Sequence, residues 1–258
     1  MVSLGNKNLE NGFPTIAVGF KDDNSLEELK MLKLHKRLDV AEIRVDMFHD
    51  KSTTTVKKEL EKFKNINIPT ILTVRPKHEG GMWDDGEKER IDLISSCADA
   101  VDAIDIELSS IKKDHGDLIS TMITNKPIDT KLIISHHNFD ETPDFEELSD
   151  LVNDISAMKA DLIKIACHLN TTEDLNTLTK VLLENADKNL IIIGMGDYGL
   201  LTRLSFPAYG SLLTFAYAKG MPTAPGQIHL DDMVESLRKM YPKYNQQLIN
   251  DFEILEAV

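Results

Sequence analysis

A lysine interrupts a short apolar segment in the second half of the chain. Lys164 lies in LIKIA, residues 162–166, between two segments whose apolar residues recur at helical spacing. Such a run predicts a buried parallel strand, and a lysine there either extends to water or lies in a cavity with a depressed pKa. An uncharged amine can attack a ketone. The alternative is a strand-end lysine in a salt bridge, which is the commoner case for an isolated lysine.

Other polar side chains stand at the ends of further predicted strands or just beyond them. If the strands form a parallel barrel, their carboxyl ends meet at one face, where active sites form. Six separate elements would bring candidate groups to that face, and this convergence favours chemistry at Lys164 more than any single residue does. The candidates are Glu42, Arg44, Asp46, Arg75, Glu79, Asp105, Glu107, His136, His137, Lys164, Arg203, Thr223 and Gln227.

Several of these residues also fit a purely structural role. Glu42, Arg44 and Asp46 alternate along one predicted strand face, so they could form an ion-pair network that fills the interior. For Asp46 this alternative and substrate binding stay equally open. Asp105 and Glu107 fit the internal network better than a substrate site.

The histidines and the single tryptophan add few further candidates. Because neighbouring side chains alternate along a strand, only one of His136 and His137 can point inward. Trp83, in the loop HEGGMWDDG, is more consistent with packing than with anchoring a lid. The histidines predicted at the solvent-exposed surface are His35, His49, His115 and His229.

The elements that position the candidates alternate regularly along the chain. Apolar runs predict strands at 15–20, 39–48, 69–76, 100–108, 131–139, 161–170, 189–196 and 209–218. Helical periodicity predicts helices at 25–38, 52–63, 87–98, 110–124, 143–158, 171–186, 199–205 and 231–240, with a helical tail from Tyr244. Eight strand and helix pairs without a linker predict one (β/α)8 TIM barrel, a single domain over residues 1–258 with a short N-terminal cover at 1–14. A doubly wound sheet is the alternative, but no GxGxxG follows the first strand.

Composition and charge limit the classes of partner. The 258 residues carry a net charge of −14, which argues against nucleic acid or an anionic membrane, while a few arginines can still bind a small anion. No apolar run approaches the ~20 residues of a membrane span, and the N-terminus lacks a secretory pattern. We therefore expect a cytoplasmic protein. Cys97 and Cys167 lack CxxC spacing, and we expect no metal.

Eight stretches, taken together, resemble one enzyme family. They are EIRVD (42–46), TVRPKHEGG (73–81), IDIEL (104–108), SHHNFDETP (135–143), IKIA (163–166), GLLTRL (199–204), YGSLLTF (209–215) and APGQI (224–228). In this order, over roughly residues 15 to 230, the chain resembles type I 3-dehydroquinate dehydratase, a shikimate-pathway enzyme of the class I aldolase-like barrels. The SHHNF block, a lysine one βα unit later and the terminal APGQ are specific, whereas IDIEL alone is not.

This resemblance implies a role for each of nine residues. Lys164 corresponds to the Schiff-base lysine, His137 to the general acid/base and Glu79 to the carboxylate that positions His137. The positions that hold the substrate carboxylate are Arg203, Thr223 and Gln227, and those near the ring hydroxyls and the imine are Glu42, Arg44 and Arg75. The resemblance also implies 3-dehydroquinate as the small-molecule substrate, no cofactor and a homodimer. The chain departs from the family at Thr223, where serine is common, and at Gly196-Asp197, where relatives often carry Ser-Lys.

The same residue types fit the loss of water from a β-hydroxy ketone. An imine on Lys164 acts as an electron sink for removal of the adjacent proton. An ordinary histidine pKa near 6.5 suits His137 for proton transfer, and a nearby Arg44 or Arg75 would help to keep the amine uncharged. The loop 220–228, with two prolines and two glycines, indicates a lid that closes on binding.

Three other functions remain open from the residues. An aldolase that forms an imine would cleave a carbon–carbon bond, so its products separate it from a dehydratase. A non-catalytic barrel that binds a carboxylic acid or a protein would tolerate Lys164→Ala. A metal-dependent hydrolase would lose activity on chelation, although the chain has no HxxxH or HxH spacing.

Overall fold

Short apolar runs form strands throughout the chain, and the amphipathic segments between them form helices. The computed structural model describes residues 2–34, 38–112, 115–220 and 222–256. The strands are β1 (Val2–Leu4), β2 (Lys7–Leu9), β3 (Ile16–Phe20), β4 (Val40–Arg44), β5 (Thr70–Thr73), β6 (Ala103–Glu107), β7 (Lys131–Asn138), β8 (Leu162–His168), β9 (Leu190–Met195) and β10 (Thr214–Ala216). The helices are α1 (Leu26–Leu34), α2 (Thr53–Asn65), α3 (Glu87–Cys97), α4 (Leu108–Ile111), α5 (Gly116–Asn125), α6 (Phe145–Ala157), α7 (Thr172–Glu184), α8 (Gly199–Tyr209), α9 (Leu230–Met240) and α10 (Pro242–Glu256).

Strands β3 to β10 form one parallel sheet that curls into a barrel. Their order is β10-β3-β4-β5-β6-β7-β8-β9, so each strand pairs with its neighbour in the chain and β10 returns to β3. The two ends of this sheet meet where the Leu212 N–H donates to the Leu190 carbonyl at 2.9 Å. The predicted (β/α)8 barrel is confirmed. No helix within the described residues combines the length and apolarity needed to cross a bilayer.

A repeated hydrogen bond fixes the amino-terminal ends of the barrel strands in pairs. A polar side chain just before one strand accepts a hydrogen bond from a backbone N–H near the start of the preceding strand. Without this side chain, the N–H would be a buried donor with no partner. The acceptor and donor pairs are Asp39 with Ile16, Asp102 with Thr70, Asp161 with Leu132 and Ser211 with Ile192, at 2.8–3.0 Å. This device sets four strand pairs at the end of the barrel opposite the candidate residues.

The N-terminal residues cover that same end of the barrel. Strands β1 and β2 form an antiparallel hairpin, and Leu4 and Leu9 are 0% and 2% exposed within a cluster of inward-facing barrel residues. Gly5 makes the turn at φ +49°, and a Cβ there would lie 2.5 Å from Asp102 Oδ1. The cover predicted at 1–14 is therefore a hairpin with a buried apolar face.

The largest error of the sequence prediction lies around α8 and β10. We predicted that the helix would end at 205 and that a strand would run over 209–218, but α8 continues to Tyr209 and β10 begins at Thr214. The helix contains Pro207, which has no N–H to donate to the Arg203 carbonyl. Thr214 Oγ1 donates to that carbonyl instead, at 2.8 Å. Gly210 then ends the helix at φ +110°.

Other element boundaries differ by less. The strands predicted at 39–48 and 69–76 end at Arg44 and Thr73, because short 3-10 turns at Val45–Met47 and Lys77–Glu79 begin shortly afterwards. The helix predicted at 110–124 divides into α4 and α5. Helix α1 is described to Leu34, and the predicted remainder to 38 includes residues 35–37, which lie outside the described residues together with the prediction for His35.

Candidate active site

All nine residues predicted for the site line one pocket at the carboxyl ends of the barrel strands. The pocket has a volume of about 500 Å³, part of which is open to solvent. Lys164, Glu42 and Arg44 come from β8 and β4, His137 from the end of β7, and the others from segments that follow β5, β9 and β10. The nine are Glu42, Arg44, Arg75, Glu79, His137, Lys164, Arg203, Thr223 and Gln227. The convergence expected from the sequence is therefore present.

Lys164 is buried and directly paired with two carboxylates. Its Nζ lies 3.0 Å from Asp105 Oδ2 and 3.2 Å from Glu42 Oε1, and 4.8 Å from the centroid of the Phe215 ring. We had expected an arginine as its immediate neighbour, but Arg75 lies on the other side of the same Asp105 oxygen, 2.8 Å away. The amine faces the pocket as predicted, held between anionic groups rather than beside a cation.

A buried ion-pair network extends from this lysine away from the pocket. Arg75 donates from Nη2 to Asp105 and from Nη1 to Glu107 at 2.5 Å, and Arg90 donates to the other Glu107 oxygen at 2.8 Å. Ser135 Oγ donates to Asp105 Oδ1 at 2.6 Å. Asp105 and Glu107 thus form the internal network that the sequence favoured, but Asp105 also contacts Lys164.

Opposite charges control ionisation within this network. Burial alone would raise the pKa of Asp105, but Arg75 and Lys164 outweigh it and hold that pKa well below its usual range. Burial likewise opposes ionisation of Glu42, and Lys164 with Arg44 lowers the pKa of this carboxyl. Both carboxylates next to Lys164 are therefore ionised at neutral pH.

Arg44 and Asp46 form a closed ion pair beside the pocket. The guanidinium donates from Nε and Nη2 to the two Asp46 oxygens at 3.0 and 2.9 Å, and the Met82 N–H donates to one of them at 3.1 Å. Asp46 lies on the turn after β4, not on the strand as predicted, and it is absent from the pocket lining. Of the two roles left open for Asp46, the structure favours the ion pair.

His137 belongs to a hydrogen-bonded chain that leads out of the pocket. Its Nδ1 lies 2.9 Å from Glu79 Oε2, and Ser109 donates to Glu79 Oε1. Ser109 Oγ lies 3.2 Å from Nε2 of the exposed His78. His136, by contrast, is half-buried and absent from the pocket lining, so only one of the two adjacent histidines points inward, as predicted.

Burial changes the ionisation of this histidine and carboxylate in opposite senses. It raises the pKa of Glu79 to about 7. Burial, together with the cations Arg75 and Lys164, lowers the pKa of His137 well below 6.5. The ordinary histidine pKa used in the sequence argument is therefore wrong for this site, and His137 is neutral at pH 7.

Arg203 is a buried cation, and the hydrogen bonds that its guanidinium makes within the described residues all go to backbone carbonyls. It lies on α8 with 2% exposure, and its guanidinium donates to the carbonyls of Gly226, Phe215 and Pro225 at 3.0–3.2 Å. Burial lowers its pKa to about 10, so it stays charged at neutral pH. Among the described residues no carboxylate lies within ion-pair distance of it, unlike Arg44, Arg75 and Lys164.

Thr223 and Gln227 lie on the loop between β10 and α9. The Thr223 N–H and Oγ1 both donate to Gln227 Oε1, at 2.8 and 3.1 Å. A Cβ on Gly226 would lie 2.7 Å from the Gly196 carbonyl oxygen, so glycine there permits the close approach that presents the Gly226 carbonyl to Arg203. Met221 lies outside the described residues, and closure of this loop on binding stays a prediction.

The site includes several residues that the sequence argument missed. Arg90 is fully buried beneath the pocket, Ser109 and Ser135 donate to its carboxylates, and the Phe215 ring lies beside the lysine. Arg90 lies in the predicted helical segment EKERIDL, directly before Ile91. This apolar neighbour was the one indication in the sequence that Arg90 could be buried. Arg90 contacts Glu107, 17 positions away, and the contacts of Ser109, Ser135 and Phe215 join residues 30 or more positions apart. The folding of the barrel brings these residues together.

The other described histidines and both cysteines are absent from the pocket lining. His49 and His115 are exposed as predicted, while His229 is half-buried because its ring accepts the Asp231 N–H at the start of α9. Trp83 is 7% exposed and packed in the core, as predicted. Cys97 and Cys167 are buried free thiols. No group of three or more His, Cys, Asp or Glu side chains in the described parts of the chain could hold a metal ion.

Known proteins are similar to this chain in both sequence and fold. The 3-dehydroquinate dehydratase of Aquifex aeolicus (strain VF5) is 37% identical over 226 residues, which are 88% of this chain and 98% of that protein. The crystal structure of 3-dehydroquinate dehydratase from Geobacillus kaustophilus HTA426 gives a TM-score of 0.81 at 28% identity, covering 92% of this chain and 94% of that one. The type I enzyme from Clostridium difficile, solved with covalent modified comenic acid, gives 0.79 at 28% identity and covers 94% and 98%.

The family match includes the whole barrel and every residue of the pocket lining. The sequence model described as Type I 3-dehydroquinase matches residues 16–243, which begin at β3 and extend beyond α9. The N-terminal hairpin and most of α10 lie outside the matched range. The chain belongs to the type I 3-dehydroquinase family.

Proposed function

We propose that this protein dehydrates 3-dehydroquinate to 3-dehydroshikimate through an imine between Lys164 and the substrate ketone. The observation that supports this most strongly is the position of the Lys164 amine, in one pocket with the neutral His137 and the buried Arg203. The covalent modified acid in the Clostridium difficile relative is consistent with covalent chemistry in this family.

The first step joins the lysine to the substrate. His137 takes one proton from Lys164, and the resulting amine lone pair attacks the ketone carbon. The carbonyl oxygen takes that proton back from His137, takes a second proton from the nitrogen and leaves as water, so a protonated imine with one N–H remains. The paired carboxylates Glu42 and Asp105 stabilise this cation in the place of the ammonium. Because the imine keeps one positive charge, the network around it needs no rearrangement.

The second step removes water from the ring. The Glu79 carboxylate accepts the Nδ1–H of His137, which leaves Nε2 with a lone pair to take the proton next to the imine. The imine accepts the electron pair, which then forms the new double bond as the β-hydroxyl departs. His137 returns its proton to that hydroxyl, and hydrolysis of the product imine restores Lys164.

The distribution of charges orients the substrate. Arg203 has no carboxylate partner of its own within the described residues, so the substrate carboxylate is its natural counterion, with Thr223 and Gln227 beside it. Arg44 and Arg75 are already paired with Asp46, Asp105 and Glu107. These two arginines, with Glu42, therefore contact the ring hydroxyls and the imine region rather than a second carboxylate.

Borohydride reduction tests the proposal directly. The protein is treated with 3-dehydroquinate and borohydride, and its peptides are analysed by mass for a reduced adduct. We expect the adduct on Lys164, none without substrate, and none in Lys164→Ala. As a matched control, Lys188→Ala removes a partly exposed lysine just before the amino-terminal end of β9 and should keep the adduct. An adduct on another lysine, or turnover by Lys164→Ala, would refute the mechanism.

We also propose that the enzyme acts in the cytoplasm as a homodimer. The family resemblance supports the dimer, and the two buried free thiols are consistent with a reducing compartment. Sedimentation at micromolar concentration should give a mass near twice that of the chain. A monomer under the conditions of full activity would contradict this proposal.

A further inference from the structure

The last turn of α8 depends on two side chains from outside the helix. In a regular α-helix each N–H donates to the carbonyl four residues earlier. Pro207 has no N–H for the Arg203 carbonyl, and Thr214 Oγ1 of β10 donates to it at 2.8 Å instead. The carbonyl of the substrate-binding arginine is thus held by the barrel wall.

Tyr241 contacts the next donor and acceptor of the same helical turn. Its hydroxyl accepts the Ala208 N–H at 3.1 Å and donates to the Leu204 carbonyl at 2.7 Å. These are the donor and the acceptor that a regular helix joins directly, so the tyrosine oxygen bridges them. Side chains that enter a helix in this way change its local geometry. Tyr241 is 8% exposed and stands between α9 and α10.

These hydrogen bonds from Thr214 and Tyr241 are made to the carbonyls of Arg203 and of the residue after it. Arg203 is the residue on which the proposed binding of the substrate carboxylate depends. Arg203 and Leu204 are consecutive, so Thr214 and Tyr241 together set the path of the backbone from which the Arg203 side chain extends. Among the described residues the guanidinium has no acidic partner and donates only to the carbonyls of Phe215, Pro225 and Gly226. Its position is therefore unusually dependent on the helix that carries it.

We propose that Tyr241 is a positioning residue for Arg203, and that through it the segment after α9 sets the geometry of carboxylate binding. Tyr241 does not line the pocket and acts only through α8. This inference rests on the proposed role of Arg203. The resemblance to the family assigned no role to this tyrosine.

Tyr241→Phe tests the inference because it removes only the hydroxyl. The Ala208 N–H and the Leu204 carbonyl can then bond directly, which tightens the turn and displaces Arg203. A displacement of about 1 Å costs up to ~100-fold in rate, so we expect kcat/KM to fall about tenfold, mainly through KM. In an Arg203→Met background the same change should alter kcat/KM less than twofold, because the residue on which it acts is gone.

A matched control separates positioning from stability. Thr130→Val also removes a buried hydroxyl that donates to a backbone carbonyl, that of Ala98 at 2.8 Å, but far from α8. We expect it to lower the midpoint of urea unfolding without changing KM. If Tyr241→Phe does not fold, Thr214→Val, which removes the other bridging hydroxyl, should show the same dependence on Arg203.

Two results would overturn the inference. One is an unchanged KM in Tyr241→Phe, and the other is an equal effect of that substitution with and without Arg203. Both results require that the unmodified protein dehydrates 3-dehydroquinate. A failure of the proposed function would instead appear as absent turnover by the unmodified protein.

Discussion

Four cations line the pocket, and their partners distinguish them. Lys164, Arg44 and Arg75 each contact a carboxylate of the protein, whereas Arg203 contacts only carbonyl oxygens within the described residues. A buried charge without a counterion is costly, and an anionic ligand removes that cost. Residue types alone do not distinguish the three arginines, and their partners in the structure support the proposal that Arg203 binds the substrate carboxylate.

Arg203→Met should therefore weaken substrate binding far more than it weakens the fold. Loss of one partner from a buried charge pair costs 2–5 kcal/mol, and each ~1.4 kcal/mol is tenfold, so we expect KM to rise about 100-fold. The midpoint of urea unfolding should stay the same or increase, because a buried cation is removed. Arg238→Met, at an exposed arginine on α9, is the control and should change neither quantity. An unaltered KM in Arg203→Met would place the carboxylate elsewhere.

Ionisation of Glu79 should limit activity on the acid side. The neutral carboxylic acid donates to His137 Nδ1 and so places the proton of the ring on Nε2, whereas the carboxylate leaves Nε2 free to act as a base. Because burial raises the pKa of Glu79 to about 7, kcat/KM should increase with pH through about 7 and then level off. A profile of kcat/KM against pH checks this.

Ser109→Ala should move that acid limb to higher pH. Burial raises the Glu79 pKa, and the hydrogen bond from Ser109 partly offsets this by stabilising the carboxylate. Removing the hydroxyl removes this offset and raises the Glu79 pKa further, so activity at pH 7 falls while activity well above the limb recovers. Ser96→Ala, at an exposed helical serine, should leave the profile unchanged. A limb that stays in place would assign it to another group.

At the scale of elements, the strands were predictable and their ends were not. Apolar runs such as LIKIA gave the position of every barrel strand, because a parallel strand buried on both faces has few polar residues. Because Asp46 continues the alternation with Ile43 and Val45, the predicted range of β4 was too long and included the 3-10 turn that follows the strand. The predicted end of α8 at 205 was four residues early, and the sequence gives no sign that the Thr214 hydroxyl replaces the N–H that Pro207 lacks or that Tyr241 bridges the next position of the helix.

The hydrogen bonds that pair the amino-terminal strand ends should contribute to stability alone. Asp161→Ala leaves the buried Leu132 N–H without its acceptor, which costs about 1–3 kcal/mol in the free energy of unfolding. Asp161→Asn keeps an acceptor oxygen and should lose less than half as much. Urea unfolding measures both variants, and kcat/KM should be unchanged in each. A fall in kcat/KM that exceeds the loss of stability would contradict this division.

At the scale of the whole molecule, the two ends of the barrel have separate tasks. The carboxyl ends of the strands carry the pocket, while the amino ends carry the capping side chains and the hairpin β1-β2. The motifs predicted which residues belong to the site, but not their partners. The contact of Lys164 with Asp105 spans 59 positions and depends on the register of β6, β7 and β8.

Leu4→Ala tests this separation at the amino-terminal end of the barrel, which we expect to contribute to stability alone. Leu4 is fully buried in the hairpin that covers the barrel interior, and truncating a buried leucine to alanine costs about 2–5 kcal/mol. We expect that loss in urea unfolding, with kcat and KM unchanged below the unfolding transition, because the cavity opens at the end away from Lys164. Ile128→Ala, at a residue 88% exposed, should show neither effect. If Leu4→Ala instead raises KM while the protein stays folded, the hairpin supports the pocket as well as the core, and the two ends are coupled through the barrel.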